Sequence, residues 1–265
     1  MKSIVRLITL LCVLGFQPLS ASAGLPFDEP VRSGASDQAS GGKKSDEFTK
    51  LLAQLKSQSP GERRDAVEQL GSLEDQRAVE PLLATLQDKD PDVRSAAADA
   101  LGQFADKRAV EPMIAMLKDE VAFVRSAAAR VLGQLSDARA VDPLIAALKD
   151  ASSSVRGAAA LGLGGLKDAR AVAELLPRAR DEAPDVRSAV ASALGELHDK
   201  RGVDPLIMLL KDDYRMVKVA AALALADIGD KRAITALNDA VANEKDDEAR
   251  SQMKEALQRL MAAPG

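Results

Sequence analysis

The chain has no tryptophan, one tyrosine, five phenylalanines, one histidine and one cysteine in 265 residues. So few aromatics argue against one large globular core, because aromatic rings bury the most area per residue. Apolar residues still make up 46% of the chain, so alanine and leucine must carry the burial, as closely packed helices require. With only His198 and Cys12 available, a zinc or non-haem iron centre lacks the two or more His or Cys ligands it would need. Neither a Cys nucleophile nor a Ser-His-Asp triad has spare candidates. The formal charge of −4 on an aromatic-poor chain argues against general nucleic-acid binding, although a local basic groove would be compatible with it.

Long hydrophobic runs are also missing, except near the start. Lys2 and Arg6 flank the beginning of the run from Leu7 to Phe16, and Ala21-Ser22-Ala23 precede Gly24. A basic start, a short apolar stretch and an A-x-A pattern predict a secretory signal peptide over residues 1–23, cleaved after Ala23. The alternative is a retained anchor, but ten apolar residues fall short of the ~20 needed to span a bilayer. Leu10-Leu11 before Cys12 does not resemble a lipoprotein cleavage site. Cleavage leaves an exported chain, periplasmic or extracellular, with no cysteine, no membrane span and a formal charge of −6, since Lys2 and Arg6 leave with the signal. Residues 24–44, rich in Gly, Ser, Asp and Pro, predict a flexible tether. Order is expected over 45–265, with Ser45 as the first helix cap.

What is present is a repeat. Val93-Arg94, Val124-Arg125, Val155-Arg156, Val186-Arg187 and Val217-Lys218 recur every 31 residues. Eight residues after the basic position stand Gly102, Gly133, Gly164 and Gly195; twelve after it come Asp106, Asp137, Asp168, Asp199 and Asp230. A period in this range signifies stacked supersecondary units. Each unit reads as two helices. The A helix follows the Asp cap, as in Asp106 to about Lys118, with an apolar stripe of Val110, Met113, Ile114 and Leu117 and a looser start around Pro112. The B helices are expected to start near Pro60, Pro91, Ala122, Ser153, Pro184, Arg215 and Asp247. Ser59-Pro60-Gly61-Glu62 has the form of a capping box, and the repeated glycine is expected to help end each B helix. Seven pairs result, the last helix polar enough to close the stack.

The segment from Asp90 to Asp119, DPDVRSAAADALGQFADKRAVEPMIAMLKD, resembles the HEAT repeat, and more narrowly the short bacterial HEAT-like repeat named from phycocyanobilin lyases. The resemblance covers about residues 45–261. It implies an all-α, right-handed α-solenoid of about seven stacked antiparallel helix pairs. It also implies that Asp88, Asp119, Asp150, Asp181 and Asp212 form a ladder between adjacent repeats with Arg94, Arg125, Arg156, Arg187 and Lys218. A structural ladder is the first reading and a basic groove for an acidic ligand the second. Gln58 and Glu244 break the pattern at the ends.

Activity does not follow from the resemblance, because such repeats serve scaffolds, adaptors and a few enzymes. A bilin lyase or an oxidoreductase related to deoxyhypusine hydroxylase is the alternative. The scarcity of His and Cys, the lack of His-Glu pairs and the expected export all count against it. The favoured expectation is a non-catalytic, cofactor-free and metal-free monomer that binds a protein or peptide, and no nucleic acid, on its concave face. In HEAT solenoids the B helices line that face. Positions one, five and nine after the basic residue lie opposite the core stripe. The binding candidates there are Asp99, Gln103, Arg130, Gln134, Leu161, Ser192, Glu196, Leu223 and Asp227. The competing reading is an ordinary solvated helix face. Phe123, Met216 and Tyr214 at B-helix starts read either as partner contacts or as local staples. Gly157, Gly162, Gly164 and Gly165 in one helix predict a soft point where the stack bends or breathes.

Overall fold

The computed structural model describes residues 35–263. The expected signal peptide and residues 24–34 of the expected tether lie outside the described residues. From Lys43 onward the chain forms one compact unit. Among the described residues the α-helices fall into seven A/B pairs. The A helices are α1 (Ala35–Gln54), α3 (Val79–Thr85), α5 (Val110–Met116), α7 (Val141–Ala147), α9 (Arg170–Leu175), α11 (Val203–Leu209) and α13 (Ile234–Asn243). The B helices are α2 (Pro60–Ser72), α4 (Pro91–Phe104), α6 (Ala122–Leu135), α8 (Ser153–Leu166), α10 (Pro184–Glu196), α12 (Arg215–Ile228) and α14 (Asp247–Ala262).

All seven B helices begin where the sequence places them, and side-chain caps account for three of the starts, those of α2, α4 and α14. Asp90 accepts hydrogen bonds from the N–H groups of Asp92 and Val93, at 3.0 and 3.4 Å, while Pro91 fills a first-turn position that needs no donor. At α2 the expected capping box closes on one side only. The Glu62 N–H donates to Ser59 Oγ at 3.5 Å, but the Glu62 carboxylate accepts from Ser57, whose oxygen in turn accepts the Ser59 N–H at 3.1 Å. Helix α1 begins at Ala35 and not at Ser45. No proline follows Pro30 in this stretch to stop helical hydrogen bonding, and the Ser45 carbonyl accepts from Thr49 Oγ1 as a helix-interior residue does.

Most A helices start as a turn of 3₁₀ helix. The carboxylates of Asp75, Asp106, Asp137, Asp199 and Asp230 accept the N–H of the arginine two residues on, at 2.9–3.1 Å. The α-helix proper starts three residues later, with Pro81, Pro112, Pro143 or Pro205 in its first turn, where a missing N–H leaves no bond broken. The fifth pair inverts this order. Glu174 replaces the proline, α9 starts directly, and the chain turns 3₁₀ over Leu176–Arg180, at Pro177.

The repeated glycine does not end the B helices. Gly102, Gly133, Gly164 and Gly195 lie inside them. The left-handed residues that terminate the turns are Glu74, Ala105, Ser136, Lys167 and His198, all at φ near +50°, with Gly229 at +74°. The glycines instead let neighbouring B helices touch. A Cβ on Gly133 would lie 2.5 Å from Gly162 Cα, one on Gly164 would lie 2.8 Å from Ala193 Cα, and one on Gly195 would lie 2.9 Å from Ala224 Cα. No side chain fits at such distances, so consecutive B helices pack backbone to backbone.

The core runs as columns along the stack. Val93, Val124, Val155, Val186 and Val217 form one; Leu101, Leu132, Leu163, Leu194 and Leu225 form a second; Ala97, Ala128, Ala159, Val190 and Ala221 form a third. All are fully buried. Because each unit packs its apolar stripe against its neighbours as well as between its own two helices, burial is continuous along the stack.

Candidate functional site

Two rows of ions follow from the fold. The inner row lies at the turn between the A and B helices. Arg63, Arg94, Arg125, Arg156 and Arg187 each donate Nε and Nη2 to the aspartate 25 residues ahead, at 2.7–3.0 Å. Each Nη1 donates to the carbonyls six and five residues behind, at 2.8–3.3 Å. Each aspartate also accepts the N–H two residues on, at 2.8–3.0 Å. One rung therefore ties the loop of its own repeat to the loop of the next. Burial pushes Asp88, Asp119, Asp181 and Asp212 up, but the arginine bonds and backbone N–H override it and hold all four below the usual carboxylate value. For Asp150 the Arg125 bond is the leading cause, with the same outcome.

All ten ladder residues read from the sequence belong to this row, and it extends beyond them. Arg63 stands 31 residues before Arg94 and pairs with Asp88; its preceding residue is Glu62 where the other units have valine, so the Val-Arg signature missed it. At the far end Glu244 takes the aspartate's place, pairing with Lys218 and accepting the N–H groups of Lys245 and Asp246 at 2.8 and 2.9 Å. Arg250 then donates to the Glu244 carbonyl at 3.0 Å, repeating the six-residue reach of the other rungs.

The outer row is exposed. Asp75, Asp106, Asp137, Asp168, Asp199 and Asp230 pair with the arginine two residues on. Three of those arginines also reach back 28 residues to an acid on the previous A helix: Arg108 to Glu80, Arg139 to Glu111 and Arg170 to Asp142. Hydrogen bonding from Arg139 draws the Asp137 carboxyl down to about 2.

The stripe on the B helices is the remaining candidate surface. Three hollows lie along it and gather eight of its nine residues. Asp99 and Gln103 line one of about 430 Å³ together with Phe123. Arg130, Gln134, Leu161 and Glu196 line one of about 520 Å³. Ser192 and Leu223 line one of about 300 Å³ with Met216 and Val219. Asp227 lines none of these; its carboxylate accepts from Arg259 Nη2 at 2.5 Å. Asp99 and Arg130 form an ion pair with each other across one repeat, so these two charges are already matched. Phe123 and Met216 are nearly half exposed and belong to hollows. Tyr214 has a different position: its ring centroid lies 5.7 Å from the guanidinium carbon of Arg187, a cation–π contact on the inner row.

His198 sits in a turn between B and A helices, with Nδ1 2.9 Å from the Asp227 carbonyl oxygen. Among the described residues no group of three His, Cys, Asp or Glu side chains is arranged to hold a metal ion, and no helix is long and apolar enough to cross a membrane.

The comparisons agree with this architecture. The HEAT repeat family model matches residues 48–131, 122–183 and 172–258. Among curated proteins, none matches the chain. Among solved structures the chain is similar to YibA of Escherichia coli, at 22% identity and TM-score 0.62 over 83% of this chain and 82% of that one. It is similar to the complex of CpcE and CpcF of phycocyanin lyase from Nostoc, at 20% identity and TM-score 0.56 over 91% and 100%. It is also similar to a chain of the Kap95p–RanGDP complex, at 13% identity and TM-score 0.64 over 85% and 37%. These likenesses establish an α-solenoid. With the family model spanning nearly all the ordered repeats, the chain belongs to the HEAT repeat family.

Proposed function

We propose that this protein is a non-catalytic scaffold or adaptor that holds a protein or peptide segment along its row of B helices. The observation that carries this reading is the string of three hollows on that row, each with an exposed apolar residue: Phe123, Leu161 and Met216. Apolar anchors set in a polar rim are the form of a protein-binding surface. Curvature supports it. Consecutive B helices run close along their length, whereas consecutive A helices approach at few positions. A stack spaced more tightly on one side bends toward that side, which makes the B row concave and accessible to an extended partner. HEAT solenoids in complexes, such as Kap95p with RanGDP, are consistent with this use of the fold.

The test is site-specific photo-cross-linking in the native cells. A cross-linker at Gln103, Leu161 or Leu223 captures a dominant partner, and one at Glu111 or Asp204 on the A helices does not. Capture from the A side alone would overturn the assignment. Export is part of the same proposal. Fractionation and intact mass then find the protein outside the cytoplasm with Gly24 as its first residue; a cytoplasmic chain of full mass would sink that part.

A further inference from the structure

Helix α8 is where the B row changes character. Its four glycines do two different jobs. A Cβ on Gly162 would lie 3.0 Å from the Ala129 carbonyl oxygen, and one on Gly164 would lie 2.8 Å from Ala193 Cα. Close packing requires both. A Cβ on Gly157 would meet nothing nearer than Ala189 Cβ at 3.9 Å, and one on Gly165 nothing nearer than the Gly133 carbonyl oxygen at 3.5 Å. Neither has a left-handed backbone. Glycine inside a helix is destabilising relative to alanine, and here no crowding demands it.

The two unforced glycines occupy the first and third places of the stripe. Neighbouring helices carry side chains there: Ser126 and Gln134 before, Ser188 and Glu196 after. Between the two gaps Leu161 stands 49% exposed. The missing side chains thus open the hollow of about 520 Å³ around a single leucine. Its two sides differ in charge. On α6, Arg130 is matched by Asp99. On α10, Asp185 and Glu196 are exposed and form no ion pair among the described residues. The hollow is apolar at its centre and carries uncompensated negative charge along one wall.

We propose that this hollow receives an apolar side chain from an extended segment of a protein partner, with lysine or arginine on either side of that residue. The inference rests on the reading of the B row as a binding surface and names the chemistry of what binds. Asp185 and Glu196 are eleven residues apart in one helix, which is about 16 Å at 1.5 Å per residue. An extended chain covers that distance in about five residues at roughly 3.3 Å each. Two cations bracketing a central apolar residue therefore reach both carboxylates while the apolar group packs beside Leu161. The apolar contact supplies burial and the cations set register.

The experiment uses dye-labelled peptides on a glycine–serine frame, capped at both ends, and the purified full chain. One series has phenylalanine or leucine at the centre and lysine two or three places away on each side. Matched controls carry a central glycine, or glutamate in place of lysine. Fluorescence anisotropy is expected to show the lysine-flanked apolar peptides binding at least tenfold more tightly than either control, and more weakly as salt rises. Gly165→Leu, which fills the hollow, is expected to lower that affinity at least tenfold. The double variant Asp185→Lys/Glu196→Lys, confined to exposed positions, reverses the preference toward glutamate-flanked peptides. Thermal melts monitored by circular dichroism verify that both variants fold. Equal binding of lysine- and glutamate-flanked peptides, affinity unchanged by Gly165→Leu, or no binding of any peptide at millimolar concentration overturns the proposal. If a partner cross-links at Gln103 and Leu223 but not at Leu161, this proposal fails and the wider reading stands. If the B row captures no partner at all, both fail.

Discussion

The two rows of arginine–aspartate pairs use the same side chains and do different work. In the inner row the arginine side chains are at most 16% exposed, and each aspartate belongs to the following repeat. In the outer row the arginines are at least 48% exposed, and each pairs first with an aspartate two residues away in its own turn. A desolvated pair that also satisfies three backbone groups is expensive to break from one side. A solvated pair within one turn shapes that turn and contributes little else. Position relative to the repeat boundary, more than residue type, decides what an ion pair holds together.

The largest expected effect is on acid stability, because it touches every inner rung together. The inner aspartates and Glu244 are held below their ordinary values. A depressed folded-state pKa contributes stability that is present above the unfolded value and is lost as pH falls through the folded one. Urea denaturation is expected to give a plateau around neutral pH and a steep decline below about pH 4, near the ordinary carboxylate value. A stability maximum on the acid side of that value would contradict the inner row's role.

Next comes the direct comparison. Arg125→Ala leaves Asp150 half-buried and unpaired and is expected to cost about 3–5 kcal/mol. Arg139→Ala removes an exposed arginine and is expected to cost under about 1 kcal/mol, less still in 1 M salt. Equal losses for the two variants in urea would erase the distinction. Hydrogen exchange sharpens it: Arg125→Ala deprotects the amides around residues 119–121 and 150–152 first, since the rung ties those two loops together.

The same contrast of forced and unforced positions applies to glycine. Gly133→Ala places a methyl group against Gly162 Cα and is expected to cost about 1–3 kcal/mol as overpacking. Gly165→Ala meets only the Gly133 carbonyl oxygen, at an ordinary contact distance of 3.5 Å, and is expected to gain up to about 1 kcal/mol from helix propensity. Opposite signs in thermal melts are the anticipated result, and a gain from Gly133→Ala would show that the α6–α8 contact is looser than the structure has it.

Much of this was legible in the chain. The period fixed every B-helix start, and the recurring Asp and Arg marked the inner row, whereas the outer aspartates were legible only as helix caps. What failed did so for identifiable reasons. A recurring glycine looks the same in sequence whether it ends a helix or admits a neighbour's backbone, and only the packing shows that Gly133, Gly164 and Gly195 do the second. The true left-handed positions hold Glu74, Ala105, Ser136, Lys167 and His198, residues that carry no local signal for that conformation. Arg63 was recoverable by counting 31 back from Arg94, had the neighbouring valine not been required. The stripe was found, but the pairing of Asp99 with Arg130 was not, although both occupy the same place one repeat apart. The softness expected of α8 has a more specific counterpart: two of its glycines seal the stack and two open it.

The forward reach of the inner row has one more consequence. Every arginine–aspartate rung spans 25 residues within a 31-residue period, so its register is indifferent to how many units lie between the two ends. Removing residues 95–125 would bring Asp150 to the place beside Arg94 that Asp119 now fills, and duplicating the same stretch would supply a new donor with its new acceptor. Gene-level gain or loss of whole units therefore strands no buried charge, and only the terminal substitutes, Glu244 above all, are tied to one location. The length of such a protein is free to change in steps of one repeat while its interior stays neutralised.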